Sequence, residues 1–243
     1  MPLIALENVS KSYGKEEALR GVHIEFADGV TTALVGPSGS GKSTLLQIIN
    51  GLVRPSAGMV HVFGKPIEYG KLPDLRRQIG YAVQGTGLFP HLTAEKNITL
   101  LAKLVGWTKD RCRARAFELM KLVGLPSNYA TRYPFEMSGG QQQRVGLCRA
   151  MMLNPPIFLL DEPFGALDPV TRQEIHQEFL RLQATEPRTM VLVTHDLREA
   201  MKLAQRLAVL DHGRVVQHGR CEEIVKAPAT DFVRTFFRTQ LES

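Results

Sequence analysis

Thr31-Thr32-Ala33-Leu34-Val35-Gly36-Pro37-Ser38-Gly39-Ser40-Gly41-Lys42-Ser43-Thr44 decides the fold. Five β-branched and apolar residues come first, then a glycine-rich turn, then a helix-like run from Lys42 to Gly51. This order predicts strand, loop and helix, and Gly36 to Thr44 fit the pattern GxxxxGK[ST]. Glycines let the backbone curl so that successive N–H groups face phosphate oxygens, and the helix after them presents its positive end to the same anion. In that pattern Lys42 reaches the β and γ phosphates of a nucleotide and the Ser43 hydroxyl faces Mg²⁺. A glycine-rich turn can arise without a ligand, but nine constrained positions between a strand and a helix argue against that here. The motif names a nucleotide without naming a reaction.

Working outward, 243 residues with 44% hydrophobic and 22% charged content supply a core that needs no staples. No run of eighteen apolar residues occurs, and the opening Met1-Pro2-Leu3-Ile4-Ala5-Leu6-Glu7 lacks a basic segment followed by an apolar one. The expectation is a chain that neither spans a membrane nor carries a secretion signal. Cys112, Cys148 and Cys221 are far apart, odd in number and form no CxxC, so buried, reduced thiols are expected rather than disulfides or zinc. The net charge of +6 is spread along the chain rather than blocked, which reads as a solvated basic surface. Charge alone selects neither nucleic acid nor anionic lipid.

The pattern gives short β-rich runs at 3–9, 22–26 and 31–35, punctuated by Gly14, Gly21 and Gly29, and a further β-like pair at 59–63 and 79–83. From Thr93 to Leu153 the character turns helical, with Cys112, Ala116, Leu119, Met120 and Val123 on one apolar stripe. Residues 156–160 and 189–193 are almost wholly apolar, as in strands buried on both faces. Phe232 with Phe236 and Val233 with Phe237 stand four apart, predicting a closing helix over 231–241. The class is α/β, with a parallel-sheet core at 1–84 and 155–225. An antiparallel β part stands at its N-terminus, an α-helical segment is inserted at about 85–154, and a helical tail occupies 226–243. No internal repeat is evident, so one domain of this kind is expected.

Ile157-Phe158-Leu159-Leu160-Asp161-Glu162-Pro163 ends one of the buried strands with two adjacent acids. Because neighbours on a strand point opposite ways, Asp161 is expected to support the metal while Glu162 faces the γ phosphate and polarises a water. The alternative is a solvated acidic turn, against which the phosphate loop argues. Upstream stands Met137-Ser138-Gly139-Gly140-Gln141-Gln142-Gln143-Arg144, opening a helical run. Ser138 and the amides of Gly139 and Gly140 there form a second anion-binding nest, or more simply a serine cap with a glycine turn.

This octet resembles the signature of the ATP-binding-cassette (ABC) family, usually written LSGGQ, with Met137 replacing Leu. Other expected pieces follow in order. Tyr13 matches the aromatic that stacks on adenine, Gln84 the glutamine that senses Mg²⁺ and a permease, Gly165-Ala166-Leu167-Asp168 the D-loop, and His195 the histidine that contacts the γ phosphate. Singly each is ordinary: a packing tyrosine, a strand-end glutamine, a helix-capping turn, a strand-end histidine. Together they cover essentially 3–225. The resemblance implies a P-loop NTPase cassette with a RecA-like core, ATP and Mg²⁺ as cofactors, and Glu162, His195 and Gln84 as catalytic groups. Ser43, Gln84 and Asp161 are the implied metal ligands. Ser138, Gly139, Gly140, Gln141 and Asp168 join the phosphate loop in nucleotide binding.

It also implies a dimer in which the nest of one chain covers the nucleotide of the other, a second cassette chain identical to the first. Transmembrane permease subunits are the implied membrane partners, with a solute-binding protein reached through the complex and no nucleic acid. The place of action is the cytoplasmic face of the plasma membrane. The segment from Leu75-Arg76-Arg77-Gln78-Ile79-Gly80-Tyr81 to Gly87-Leu88-Phe89-Pro90-His91-Leu92-Thr93 is similar to the ATPases of importers for glycine betaine, choline or carnitine. Arg132-Tyr133-Pro134 and Phe164-Gly165-Ala166-Leu167-Asp168-Pro169 agree. The competing class is a soluble ABC ATPase acting on ribosomes or in assembly. Such proteins usually carry two cassettes or a long coiled coil, neither of which this sequence has.

Overall fold

Alternating apolar residues at Ile4 and Leu6 face Phe26 and Ile24 across the first strand pair, and all four are buried. The computed structural model describes residues 2–85 and 87–242; the outer limits of the expected single span, 1 and 243, lie outside them. Along the chain β1 (Pro2–Tyr13), β2 (Glu16–Ala27), β3 (Thr31–Val35) and α1 (Lys42–Ile49) come first. They are followed by β4 (Ala57–Val62), β5 (Lys65–Pro66), α2 (Leu72–Arg77) and β6 (Ile79–Ala82). Next come α3 (Ala94–Leu104), α4 (Lys109–Leu122), short 3-10 turns at Ser127–Tyr129 and Pro134–Glu136, α5 (Gly139–Met151), β7 (Ile157–Asp161) and α6 (Pro169–Thr185). The last part holds β8 (Thr189–Val193), α7 (Leu197–Leu203), β9 (Arg206–Asp211), β10 (Arg214–Arg220), α8 (Cys221–Lys226) and α9 (Asp231–Glu242). The chain divides into two units, residues up to 76 with 187 onward, and residues 77–186.

In the first unit β2-β1-β4-β5 form an antiparallel sheet. Gly21, expected to break a strand, sits inside β2 at φ 57, where the register between β1 and β2 slips and the Gly21 amide donates to Ser10 Oγ at 2.8 Å. A bulge absorbs the glycine and lets the strand continue. The β-like segments at 59–63 and 79–83 do not pair: β4 joins β1 and β5, whereas β6 pairs with β7. Every residue of β3 is buried, and it runs parallel to both β8 and β9, with Leu34 opposite Val193 and Ala208. β9 and β10 form a hairpin whose two turn residues, His212 and Gly213, both have positive φ (42 and 78), the turn type that matches strand twist. α9 lays Val233 and Phe237 into a cluster with Leu197, Ala200 and Leu207, and Arg198 Nη2 donates to the Leu241 carbonyl at 3.0 Å.

In the second unit β6 and β7 are parallel, with Ala82 opposite Leu160. The helical stretch expected over 93–153 resolves into three helices. Thr93 and Thr108 start α3 and α4 by accepting from the Lys96 and Arg111 amides, each at 3.4 Å. The stripe Cys112, Ala116, Leu119, Met120 and Val123 is buried, and α5 packs on α3, α4 and β6. Among the described residues no helix is long and apolar enough to cross a membrane.

All three cysteines are free and buried. Burial pushes the Cys148 thiol far above the usual range and the Cys221 thiol up to about 11. A thiol whose folded pKa is raised lends stability that is full below its ordinary value of 9.0 and is lost as pH rises through about 11. At pH 8, then, a maleimide should label none of these cysteines quickly in the native protein and all of them in guanidinium, a difference read by mass spectrometry.

Candidate active site

The first unit supplies the phosphate loop. β3 ends at Val35 and the chain turns at Gly36, whose φ is 147 and whose added Cβ would lie 2.1 Å from the Leu210 carbonyl oxygen. No side chain fits there, so the residue type is forced by backbone approach as well as by conformation. The Ser40 amide donates to the Pro37 carbonyl at 3.2 Å, and Gly41, in the left-handed region, caps α1 without a side-chain bond. α1 also lacks an acidic residue in its first turn, so its positive end is met by no protein anion from its own sequence. Lys42 is 8% exposed, and its Nζ donates to the Gly36 and Pro37 carbonyls, both at 2.8 Å, and to Ser40 Oγ at 3.4 Å. The ammonium is thereby folded over the loop, while Pro37, Ser38 and Gly39 are exposed and Ser43 and Thr44 half-buried. The loop is braced from behind: the Gly213 amide donates to the Ser40 carbonyl at 3.2 Å, and the Arg20 amide to the Gly213 carbonyl at 2.8 Å.

His195 lies two residues beyond β8 and is exposed. Because β8 is parallel to β3, His195 leaves the sheet at the same carboxyl edge as the phosphate loop, the edge where open α/β sheets bind ligands. The Thr194 amide donates to the Leu34 carbonyl at 3.4 Å, and Asp196 Oδ1 accepts from the Arg198 and Glu199 amides at 2.8 and 3.1 Å. The histidine backbone is thus fixed between a strand end and a capped helix. Tyr13 closes β1 on the other sheet, 48% exposed, with Lys11 Nζ 4.9 Å from its ring centroid.

In the second unit Asp161 ends β7 and is 2% exposed. Glu162 follows in the left-handed region at φ 48, outside the strand. The expected divergence of the two acids by strand alternation is therefore corrected: a left-handed turn, not the pleat, redirects Glu162. Since Ala82 and Leu160 are opposite each other in a parallel pair, Gln84 and Glu162 emerge two residues later at one edge. Ser138 caps α5 in a reciprocal box. Its Oγ accepts from the Gln141 amide at 3.3 Å, its own amide donates to Gln141 Oε1 at 2.9 Å, and Gln141 Nε2 donates to the Tyr129 hydroxyl at 3.1 Å. A Cβ on Gly140 would come 2.8 Å from the Ala166 carbonyl oxygen, so the start of α5 and the 165–168 turn touch through backbone. Asp168 caps α6, accepting from the Thr171 amide at 3.0 Å, and this bond holds its carboxyl below the usual range.

Two residues of α5 escaped the sequence reading. Gln143 is 7% exposed; its Nε2 donates to the Glu162 carbonyl at 3.1 Å and its Oε1 accepts from the Ala166 amide at 2.9 Å. Arg149 donates to the Gly87 carbonyl at 2.7 Å, and burial lowers its pKa. Gln143 stood in the quoted octet, but no spacing marks a side chain whose partners are backbone groups some twenty positions away.

A strand, a braced glycine turn, a lysine folded over it and an uncapped helix define a P-loop phosphate-binding protein. The sequence matches the ABC transporter family over residues 19–165. With more than half of its length matched, the chain belongs to that family.

It is 47% identical over 235 residues to a choline transport ATP-binding protein of Bacillus subtilis, covering 96% of this chain and 62% of that protein. It is also 47% identical to a glycine betaine uptake system ATP-binding protein of Escherichia coli, covering 97% of this chain and 76% of that one. A dimeric ATP-binding cassette in a post-hydrolysis state with ADP and Pi superimposes with a TM-score of 0.85 at 36% identity, over 90% of this chain and 98% of that one. The chain thus spans less than two thirds of the length of the choline-transport relative.

Proposed function

We propose that this chain is the ATP-hydrolysing subunit of an ABC importer that takes up a quaternary-amine osmoprotectant such as glycine betaine or choline. The observation that carries the reading is the phosphate loop with Lys42 laid over it, in a chain whose relatives are named for choline and glycine betaine transport. The loop from Gly36 to Thr44 holds the ATP phosphates and Tyr13 stacks on adenine. Ser43, Asp161 and Gln84 would supply oxygen donors, one of them a carboxylate, a chemistry that suits Mg²⁺ completed by substrate phosphates rather than an all-protein cage. When bound, the ion neutralises phosphate charge.

Glu162 orients a water and takes its proton as the water oxygen bonds to the γ phosphorus. The bond from that phosphorus to the β–γ bridging oxygen breaks, leaving ADP and inorganic phosphate. His195 stabilises the charge that develops on the γ phosphoryl oxygens. Ser138, Gly139, Gly140 and Gln141 present a helix N-terminus to the nucleotide of a second, identical chain, with Asp168 in the adjoining turn. Two chains at the cytoplasmic face of the membrane then enclose two ATP molecules, and their closing and reopening drives permease subunits that receive solute from a binding protein.

The test is reconstitution of the chain with its permease and binding protein in vesicles. ATP-dependent uptake of labelled choline or glycine betaine, but not sulfate, is the expected result. Uptake of neither amine, or copurification with ribosomes and no permease, defeats the proposal.

A further inference from the structure

Glu162 is held where a residue with a Cβ does not rest of its own accord. Its φ of 48 lies in the left-handed region, which is uphill for any side chain other than glycine and persists only when surrounding groups impose it. Two donors meet its carbonyl: the Gly165 amide at 3.4 Å, within the same turn, and Gln143 Nε2 at 3.1 Å, from α5. The other end of the Gln143 amide is also committed, since Oε1 accepts from the Ala166 amide at 2.9 Å. The side chain is 7% exposed, so both bonds are shielded from competing water. A single amide thus staples both ends of the turn from 162 to 166, and it does so from the helix whose first turn carries Ser138 and Gly140.

We propose that Gln143 is a positioning residue. By fixing the backbone of Glu162 it sets the direction of the catalytic carboxylate, and it ties that direction to the helix that reaches for the partner's nucleotide. The inference rests on Glu162 being the group that activates water. A displacement of a catalytic group by about 1 Å can cost roughly a hundredfold in rate, so losing the staple acts on turnover rather than on ATP binding by the chain's own phosphate loop, which belongs to the other unit.

Two variants of the full chain test this. Gln143→Met keeps the volume and removes both bonds; Gln143→Glu keeps the acceptor for Ala166 but offers no donor to the Glu162 carbonyl. Expected for both is a fall in kcat of about 10- to 100-fold, with the ATP dissociation constant within about twofold of the parent. In a Glu162→Gln background, Gln143→Met should lower the residual rate no further, because there is no carboxylate left to aim.

Turnover by both variants within about twofold of the parent, while Glu162→Gln abolishes hydrolysis, overturns the role of Gln143 and leaves that of Glu162 standing. A loss of ATP affinity and melting temperature in step with kcat in both variants also overturns it, as a general packing role. Parental turnover in Glu162→Gln removes the premise instead. If Gln143→Met fails to fold, Gln143→Glu carries the comparison.

Discussion

Glu162→Gln should lower ATP turnover by at least about a hundredfold while ATP remains bound. The amide has the shape of the carboxylate and can still hydrogen-bond a water, but it cannot accept that water's proton; general-base catalysis of this kind is worth about 10²- to 10⁴-fold. The change leaves the local backbone intact, because the bonds that hold residue 162 in its left-handed turn are made to its carbonyl by Gln143 and Gly165. On the proposed mechanism it also removes a negative charge from beside an anionic substrate, so affinity for ATP should hold or rise. Phosphate release gives the rate. Gel filtration with ATP present should show the variant shifted to a dimer, because on the proposed mechanism hydrolysis is the event that reopens the enclosed pair. Undiminished phosphate release would remove Glu162 from its assigned role.

Lys42→Ala should weaken ATP binding by about 10- to 100-fold, the equivalent of losing charged hydrogen bonds worth about 1.5–3 kcal/mol. The ammonium sits 2.8 Å from two loop carbonyls in a nearly buried position, so it is held beside the loop before any phosphate arrives. Arginine is no substitute in so confined a place, since a planar guanidinium cannot occupy the volume of a compact ammonium. A fluorescent ATP analogue reports the affinity, and thermal melting gives an independent reading: the rise in melting temperature that ATP gives the parent should largely vanish. Equal affinities in parent and variant would contradict the phosphate role.

Much of the architecture is legible from residue patterns because burial on two faces leaves little choice of residue. Thr189–Val193 reads as a strand buried on both faces and is one, Thr31–Val35 reads as a β-rich run and is a wholly buried strand, and the α4 stripe from Cys112 to Val123 is the buried face of a helix. The phosphate loop is visible because glycine is forced where backbones approach, as Leu210 approaches Gly36. What escapes the pattern is structure fixed by partners outside the segment itself. β10, with Arg214, Gln217, His218 and Arg220 among its seven residues, carries no strand periodicity; it exists because β9 pairs with it through the His212-Gly213 turn. The direction of Glu162 escapes for a related reason: alternation holds only while the strand lasts, and the strand ends at Asp161. Gln143 is the extreme case, a side chain whose meaning lies wholly in two backbone groups of another segment.

The brace behind the phosphate loop bears on the order in which this protein comes into being. Ser40 leans on Gly213, and Gly213 on Arg20, so three points spread over most of the chain must meet before the loop has its full backing. During synthesis the glycine turn leaves the ribosome early, yet the hairpin that supports it is made only when residue 213 has been added. Closing so long a span is slow compared with local helix formation. A nascent chain therefore carries its nucleotide motif without the brace until residue 213 has been made and has folded back, and the loop gains its full backing only after that.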